Sequence, residues 1–502
     1  MMKKVSVKLL SLLLAGIMLL SCFVACAEST EQGSDTDAST QAEVEEATKS
    51  EAQIALEALD AVDFGGKDLG ILYEDGFKGE VEAINGTVDK EGGDDQTIND
   101  AVYKRNHFLE ERCKLKFVPI ASSAGTILSD VSNASMAGDG SVHLIDATLM
   151  NSANFSVGGY LYNYRDLDVD IDQPWWDEGT ADFELDGRVY FMSGDVNFAD
   201  DNMTYVLLFN TKLREEYAAT IPNPYDTVLN GDWTLEYFKS VIQNISADDG
   251  DGQWNEKDKY GFVTTWEFGN TFFIGSDLRY IVNDENGTPS LFLADASKME
   301  KAMNVLKLSQ SIYHENNATF MSPPGEEGLG LEIFKNNRAL FYSEIASYLK
   351  EINRISGNTS FGVLPIPKYS KTQEHYRTWV YPTGSALSVS SAIKDPETMG
   401  LIVENYAILS SRYVKPAYYD VTLTFKNIQD AQSKQMLDII FQNRVYDMAL
   451  YYQSSFGNYF NLFKEATYKN EDSFQSGYNS VARTFNRKLD QFQRKLEVLE
   501  KQ

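Results

Sequence analysis

Between Ala247 and Asp258 the chain reads Ala-Asp-Asp-Gly-Asp-Gly-Gln-Trp-Asn-Glu-Lys-Asp. Side-chain oxygens at alternate positions around a sharp-turn glycine are what a hard cation such as calcium needs. With Gly252 at the turn, Asp249, Asp251, Asn255 and Asp258 fall on ligand positions, and Gln253 supplies a backbone carbonyl. Ala247 stands where the pattern wants Asp, and Asp258 is shorter than the usual Glu. Two readings stay open: a bound calcium, which would be structural, or an acidic turn before Tyr260. No other cofactor is required.

The remaining polar chemistry points away from an enzyme. The histidines, His107, His143, His314 and His375, show no HExxH spacing, and neither a GxSxG elbow nor a Walker A loop occurs. A glycosidase needs two carboxylates, but 74 Asp and Glu make any one pair uninformative. Aromatic residues reach 12%, and the acidic balance suits solubility and a neutral ligand. The formal net charge of -30 excludes nucleic acid as a partner.

The N-terminus gives an address. Lys3, Lys4 and Lys8 precede the apolar run Leu9–Leu20, which is too short for a comfortable membrane span and has the layout of a secretory signal. Phe23-Val24-Ala25-Cys26 resembles a lipobox, with cleavage after residue 25 and lipid on Cys26; Leu19-Leu20-Ser21-Cys22 is the rival. Residues 26–62 are acidic and poor in apolar side chains, which reads as a disordered tether. The expectation is a protein on the extracellular face of the cell membrane, lipid-anchored. After processing at Cys26 the remaining cysteine is Cys113, expected as a small buried hydrophobe.

The elements that must position this chemistry alternate strand and helix, an α/β pattern. Expected strands are Leu69–Tyr73, Lys114–Ile120, His143–Ala147, Val189–Met192, Thr204–Phe209, Gly261–Thr265, Ala339–Ser343, Phe361–Leu364 and Ala386–Val389. Asn99 or Asp100 is expected to cap one helix, whose apolar stripe includes Ala101, Val102, Phe108 and Leu109, and Leu128, Val131 and Met136 belong to another. Thr234 caps a helix burying Leu235, Phe238, Val241 and Ile242, and Asp395-Pro396 starts another. Val481, Phe485, Leu489, Phe492, Leu496 and Leu499 form one stripe, read as a single long C-terminal helix.

Several segments, in order, resemble one family. VHLIDATLMNSANFSVGGYLYNYRDL, LDGRVYFMSGDVNFADDNMTYVLLFNTKL, DWTLEYF and the run FKNNRALFYSEI, FGVLPIPK, YPTGSALSVSS are similar to segments of bacterial extracellular solute-binding proteins of carbohydrate ABC importers, in a long Gram-positive variant. The resemblance implies a type II periplasmic-binding-protein-like fold with two α/β lobes and a hinge. Lobe one is expected at 66–198 plus 363–412, and lobe two at 199–362 plus 413–502.

The same resemblance supplies candidate ligand-binding residues and partners. Asn151 would face the cleft from lobe one, and Asp195 and Asn197 would sit at the crossing. Trp266 and Glu267 would face it from lobe two, Glu344 ends a strand there, and Trp379 and Tyr381 precede the last strand. Trp175, with Trp176, is a rim candidate. The implied partners are a sugar or oligosaccharide and the permease subunits of the importer, with no catalysis and a monomer expected. An extracellular glycosidase and a non-transport glycan-binding surface protein are the alternatives.

Overall fold

The computed structural model describes residues 62–82, 94–284, 287–349, 360–423 and 431–499. The signal at 1–25, Cys26 and nearly all of the tether at 26–62 lie outside the described residues. Among those described, no helix is long and apolar enough to cross a membrane.

The first sheet is built from β1 (Asp68–Glu74), β2 (Lys116–Ser122), β3 (Leu144–Thr148), β4 (Phe191–Met192) and a late arrival, β13 (Ser385–Val389), in the order β2-β1-β3-β13-β4. β1 runs parallel to β2 and β3, whereas β13 is antiparallel to both β3 and β4. β3 and β13 are buried along their whole length, as strands covered on both faces must be.

The second sheet has the order β11-β5-β10-β6-β9, from β5 (Tyr205–Asn210), β6 (Tyr260–Thr265), β9 (Thr319–Ser322), β10 (Ala339–Ile345) and β11 (Phe361–Leu364). β6 is parallel to β9 and β10, and β5 is antiparallel to its neighbours β10 and β11. The chain passes between the sheets after β4 and returns after β11. Two short pairs complete the strands: β7 (Ile281–Asn283) with β8 (Pro289–Leu291), and β12 (Thr378–Trp379) with β14 (Arg444–Val445). The second pair lays the C-terminal part of the chain along the return crossing.

Local chemistry explains most boundaries. Thr234 accepts from the Tyr237 N–H and Asp395 from the Thr398 N–H, and both helices start at these caps. Leu185 and Arg188 exchange backbone hydrogen bonds of 2.8 and 3.1 Å around Asp186 and Gly187, both at positive φ, the tight turn expected ahead of β4.

Two sequence expectations are corrected. The helix Asp94–Cys113 starts before Asn99, so neither Asn99 nor Asp100 is its cap. Leu128, Val131 and Met136 fall in one helix, Ile127–Ala137, as expected; its buried side chains are Ile127 and Val131. The C-terminal stripe is split into Phe474–Ala482 and Phe485–Leu499; on the second helix Phe485 and Phe492, seven apart on one face, both pack on Phe456 (5.6 and 5.8 Å between ring centres). Cys113 is fully buried, and burial pushes its thiol up to about 11, so it is an inert core side chain.

Candidate functional site

In open α/β sheets ligands meet the carboxyl ends of the strands, where the strand order reverses. On the first sheet this edge carries Glu74, at the end of β1, and Thr148, at the end of β3. The buried Glu74 carboxylate accepts from the Thr148 N–H (3.2 Å) and from Asn151 Nδ2 (3.0 Å). Thr148 caps the helix Leu149–Gly158 by accepting from the Asn151 N–H. The half-buried Asn151 amide is thus fixed from two sides.

Beneath this edge lie carboxyl groups short of positive charge. Burial pushes Asp146 up to about 8, against the pull of the Arg105 guanidinium. Glu80 accepts from Ser385 Oγ (3.0 Å), and burial, with Asp146 and Asp200 nearby, raises it well above the usual range. Asn197 is buried beside Asp146, at the base of the crossing.

The outgoing crossing is held by charge. Arg444 Nε lies 2.9 Å from Asp177 Oδ2, and its Nη1 lies 3.1 Å from Asp200 Oδ2 and 2.7 Å from Asp201 Oδ1. Lys415 Nζ lies 2.6 Å from Asp201 Oδ2 and 3.6 Å from Asp195 Oδ1. Burial raises Asp195, with Lys415 and Ser411 opposing it. Asp195 is therefore half-buried and already engaged with a cation.

On the second sheet, Trp266 and Glu267 follow β6 directly, and Glu344 is near the end of β10. Both Glu267 oxygens lie 3.4 Å from Tyr381 Oη, and Glu267 Oε1 lies 3.5 Å from Lys464 Nζ. Burial pushes Tyr381 up to about 12, Glu267 adding to it. Glu344 accepts from Tyr342 Oη (3.1 Å) and from the Ile345 N–H (3.0 Å). Burial pushes it up to about 7, with Glu267 adding and those two donors opposing. Trp266, Glu267, Glu344 and Tyr381 therefore form one half-buried group.

Three residues expected in the site show no open surface. Trp379 is fully buried, stacked on Tyr205 at 5.2 Å with its Nε1–H donating to Thr271. Trp175 is buried in the core of the first lobe together with Trp176, and Asn197 is 2% exposed. In this conformation neither indole offers a face to a solute, because each ring is used up by packing. Lys464 and Phe460 were not expected at the site; they come from the helix Phe460–Lys469, far along the chain.

The acidic loop assembles differently from its expected ligand set. Asp258 is fully buried and accepts from the Asp249 N–H (2.8 Å) and the Asn255 N–H (2.6 Å). The Gln253 carbonyl accepts from Asn255 Nδ2 (2.9 Å). The acidic group that does converge is Asp248, Asp249 and Asp251, with one oxygen of each within 4.8 Å of the others. Asp258 and Gln253 thus accept from the loop's own donors, and Asp248, outside the expected ligand set, joins Asp249 and Asp251.

No protein-family model and no curated relative matches the sequence. Solved structures do. The ABC substrate-binding protein Lmo0181 from Listeria monocytogenes, in complex with cycloalternan, is similar over 85% of this chain and 99% of that chain, at 12% identity and a TM-score of 0.52. The maltose-binding periplasmic protein MalE from Listeria monocytogenes, in complex with maltose, matches over 85% and 98%, at 14% identity and a TM-score of 0.53. The sugar-binding protein MalE from Xanthomonas citri matches over 86% and 99%, at 13% identity and a TM-score of 0.56. With two mixed sheets that exchange strands and two crossings between them, this chain has the two-lobed α/β fold of these sugar-binding proteins.

Proposed function

We propose that this protein is the capture subunit of a carbohydrate ABC importer: it closes two lobes over a sugar or oligosaccharide and passes it, unaltered, to permease subunits. The observation that carries the reading is the joining of polar and aromatic groups at the carboxyl edges of two sheets linked by two crossings. The solved neighbours hold cycloalternan and maltose, which makes a glucose-built oligosaccharide the first ligand to try. Asn151 serves the first lobe, Asp195 the crossing, and Trp266, Glu267, Glu344 and Tyr381 the second lobe. The address proposed with this function is the outer face of the cell membrane, through lipid on Cys26.

The test is a thermal-shift and calorimetry panel of maltose, maltotetraose and cycloalternan, with product analysis of the same mixtures. A saccharide at a hundred times its Kd stabilises the protein by about 2.7 kcal/mol. Saturable binding without turnover is expected. Steady release of shorter sugars would make the protein a glycosidase, and indifference to every saccharide would remove the capture reading.

A further inference from the structure

Lys464 carries a feature that the proposed function does not use. Its side chain is 1% exposed, yet its ammonium lies 4.0 Å from the Trp266 ring centre and 4.0 Å from the Phe460 ring centre. Such a cation is drawn to the negative faces of both rings, strongly so when water is excluded. The same ammonium stands 3.5 Å from Glu267 Oε1, and Glu267 reaches Tyr381 on the return crossing. Tyr381 in turn packs against Phe460, 6.1 Å between ring centres. One buried cation therefore touches the segment after β6 directly and the return crossing through Glu267 and Phe460.

The backbone is shaped to allow this approach. A Cβ built on Gly269 would lie 2.9 Å from Lys464 Cα and 3.2 Å from its Cβ. Any larger residue at 269 would push the helix Phe460–Lys469 off Gly269–Gly275 and carry the ammonium away from the rings.

We propose that Lys464 is the positioning residue of the second lobe's half of the site, its ammonium holding the Trp266 ring and the Glu267 carboxylate in the arrangement a saccharide meets. This rests on the saccharide reading given above. The charged groups facing Lys464 are Glu267 from the segment after β6 and Glu465 on its own helix, with Tyr381 behind Glu267. Burial lowers Lys464 below 10.5, with Glu267 opposing. The ammonium is thus lost at a less alkaline pH than that of a free lysine, and the ring loses its clamp there.

The experiment compares Lys464→Met and Lys464→Arg with the full chain. The first readout is acrylamide quenching of Trp266, isolated by subtracting the Trp266→Phe protein. In the unsubstituted protein quenching rises on the alkaline side, below 10.5. Lys464→Met is expected to show the quenched state at every pH, and Lys464→Arg, which stays charged, to show no alkaline step. The second readout is maltotetraose affinity, expected to fall about tenfold in Lys464→Met, the worth of one desolvated cation–ring contact, and to be largely restored by Arg.

A thermal melt separates positioning from bulk stability. Between the lowered pKa and 10.5 the unfolded chain binds more protons at this position than the folded one, so its contribution to stability rises with pH. Ring order and affinity fall over the same window, so the two trends run in opposite directions. Equal quenching in the unsubstituted protein and Lys464→Met would overturn the proposal whatever binds. If no saccharide binds the unsubstituted protein, the saccharide reading fails, and the proposal, which depends on it, falls as well; a quenching difference would then leave only a clamp on the ring.

Discussion

Asp146, Asp200 and Glu344 are buried where nearby positive charge does not fully offset the loss of water, and burial pushes them up to about 8, 7 and 7. In the unfolded chain they titrate near 3.8 for Asp and 4.5 for Glu. Between those limits the folded state binds more protons than the unfolded one, so stability falls as pH rises from about 4 to about 8. Thermal melts are expected to show a lower Tm at pH 8.5 than at pH 5.5. Asp146→Asn should make that slope shallower, and an unchanged slope would mean that Asp146 is ionised at neutral pH. The acidic loop gives a second test at this scale. Because Asp258 is fully buried and accepts two loop N–H groups, Asp258→Ala should cost about 1–3 kcal/mol for each donor left unsatisfied. Chelation with EGTA should leave the melt of the unsubstituted protein unchanged; a clear fall in Tm would give the ion to Asp248, Asp249 and Asp251. The residue types at the site were legible in the sequence, because each lies beside or at the end of a strand recognised by its apolar run. The burial of Trp175 and Trp379 was not, since a tryptophan reads the same before and after packing closes over it. Nor was Lys464, which meets Glu267 across 197 positions of chain.

Elements show why the crossings sit where they do. Arg444, on β14, reaches Asp177 in the first lobe and Asp200 and Asp201 on the outgoing crossing, while β14 itself pairs with β12 on the return crossing. One short strand therefore ties both crossings together. Removing one partner of a buried ion pair typically costs about 3–5 kcal/mol, because the other charge is left without compensation. Arg444→Met should lose that much in a urea melt at pH 8. The loss should be smaller at pH 5, where Asp200, already pushed up to about 7, takes a proton instead of standing charged. A loss of equal size at both pH values would mean that packing, rather than charge, holds the crossing. Period and caps made the strands and the Thr234 and Asp395 helices legible. The break after Ala482 was not, because the apolar stripe runs straight through the turn at Arg483-Thr484.

For the molecule as a whole, capture requires that the halves move about segments that absorb the change. The C-terminal part of the chain sets how freely they do so. Its helix Phe460–Lys469 packs on Gly269–Gly275 beside the second sheet, whereas Met448–Tyr451 and Phe485–Leu499 pack on Leu149–Gly158 beside the first. Tyr452 Oη accepts from Ser156 Oγ at 3.3 Å, and Ser454 Oγ donates to Asn154 Oδ1 at 2.7 Å. The segment thus straddles both lobes, and opening must shear it across one of its two beds. The last helix, where Phe492 packs on Tyr452 and Phe456, is where such a shear would be resisted. Phe492→Ala should cost about 3–5 kcal/mol and loosen the strap. Small-angle scattering with and without a saccharide that binds should then show a modest contraction in the unsubstituted protein and a larger one in Phe492→Ala, whose free form starts more open. Identical scattering from both proteins, with and without sugar, would mean one rigid body and would rule out closure as the means of capture.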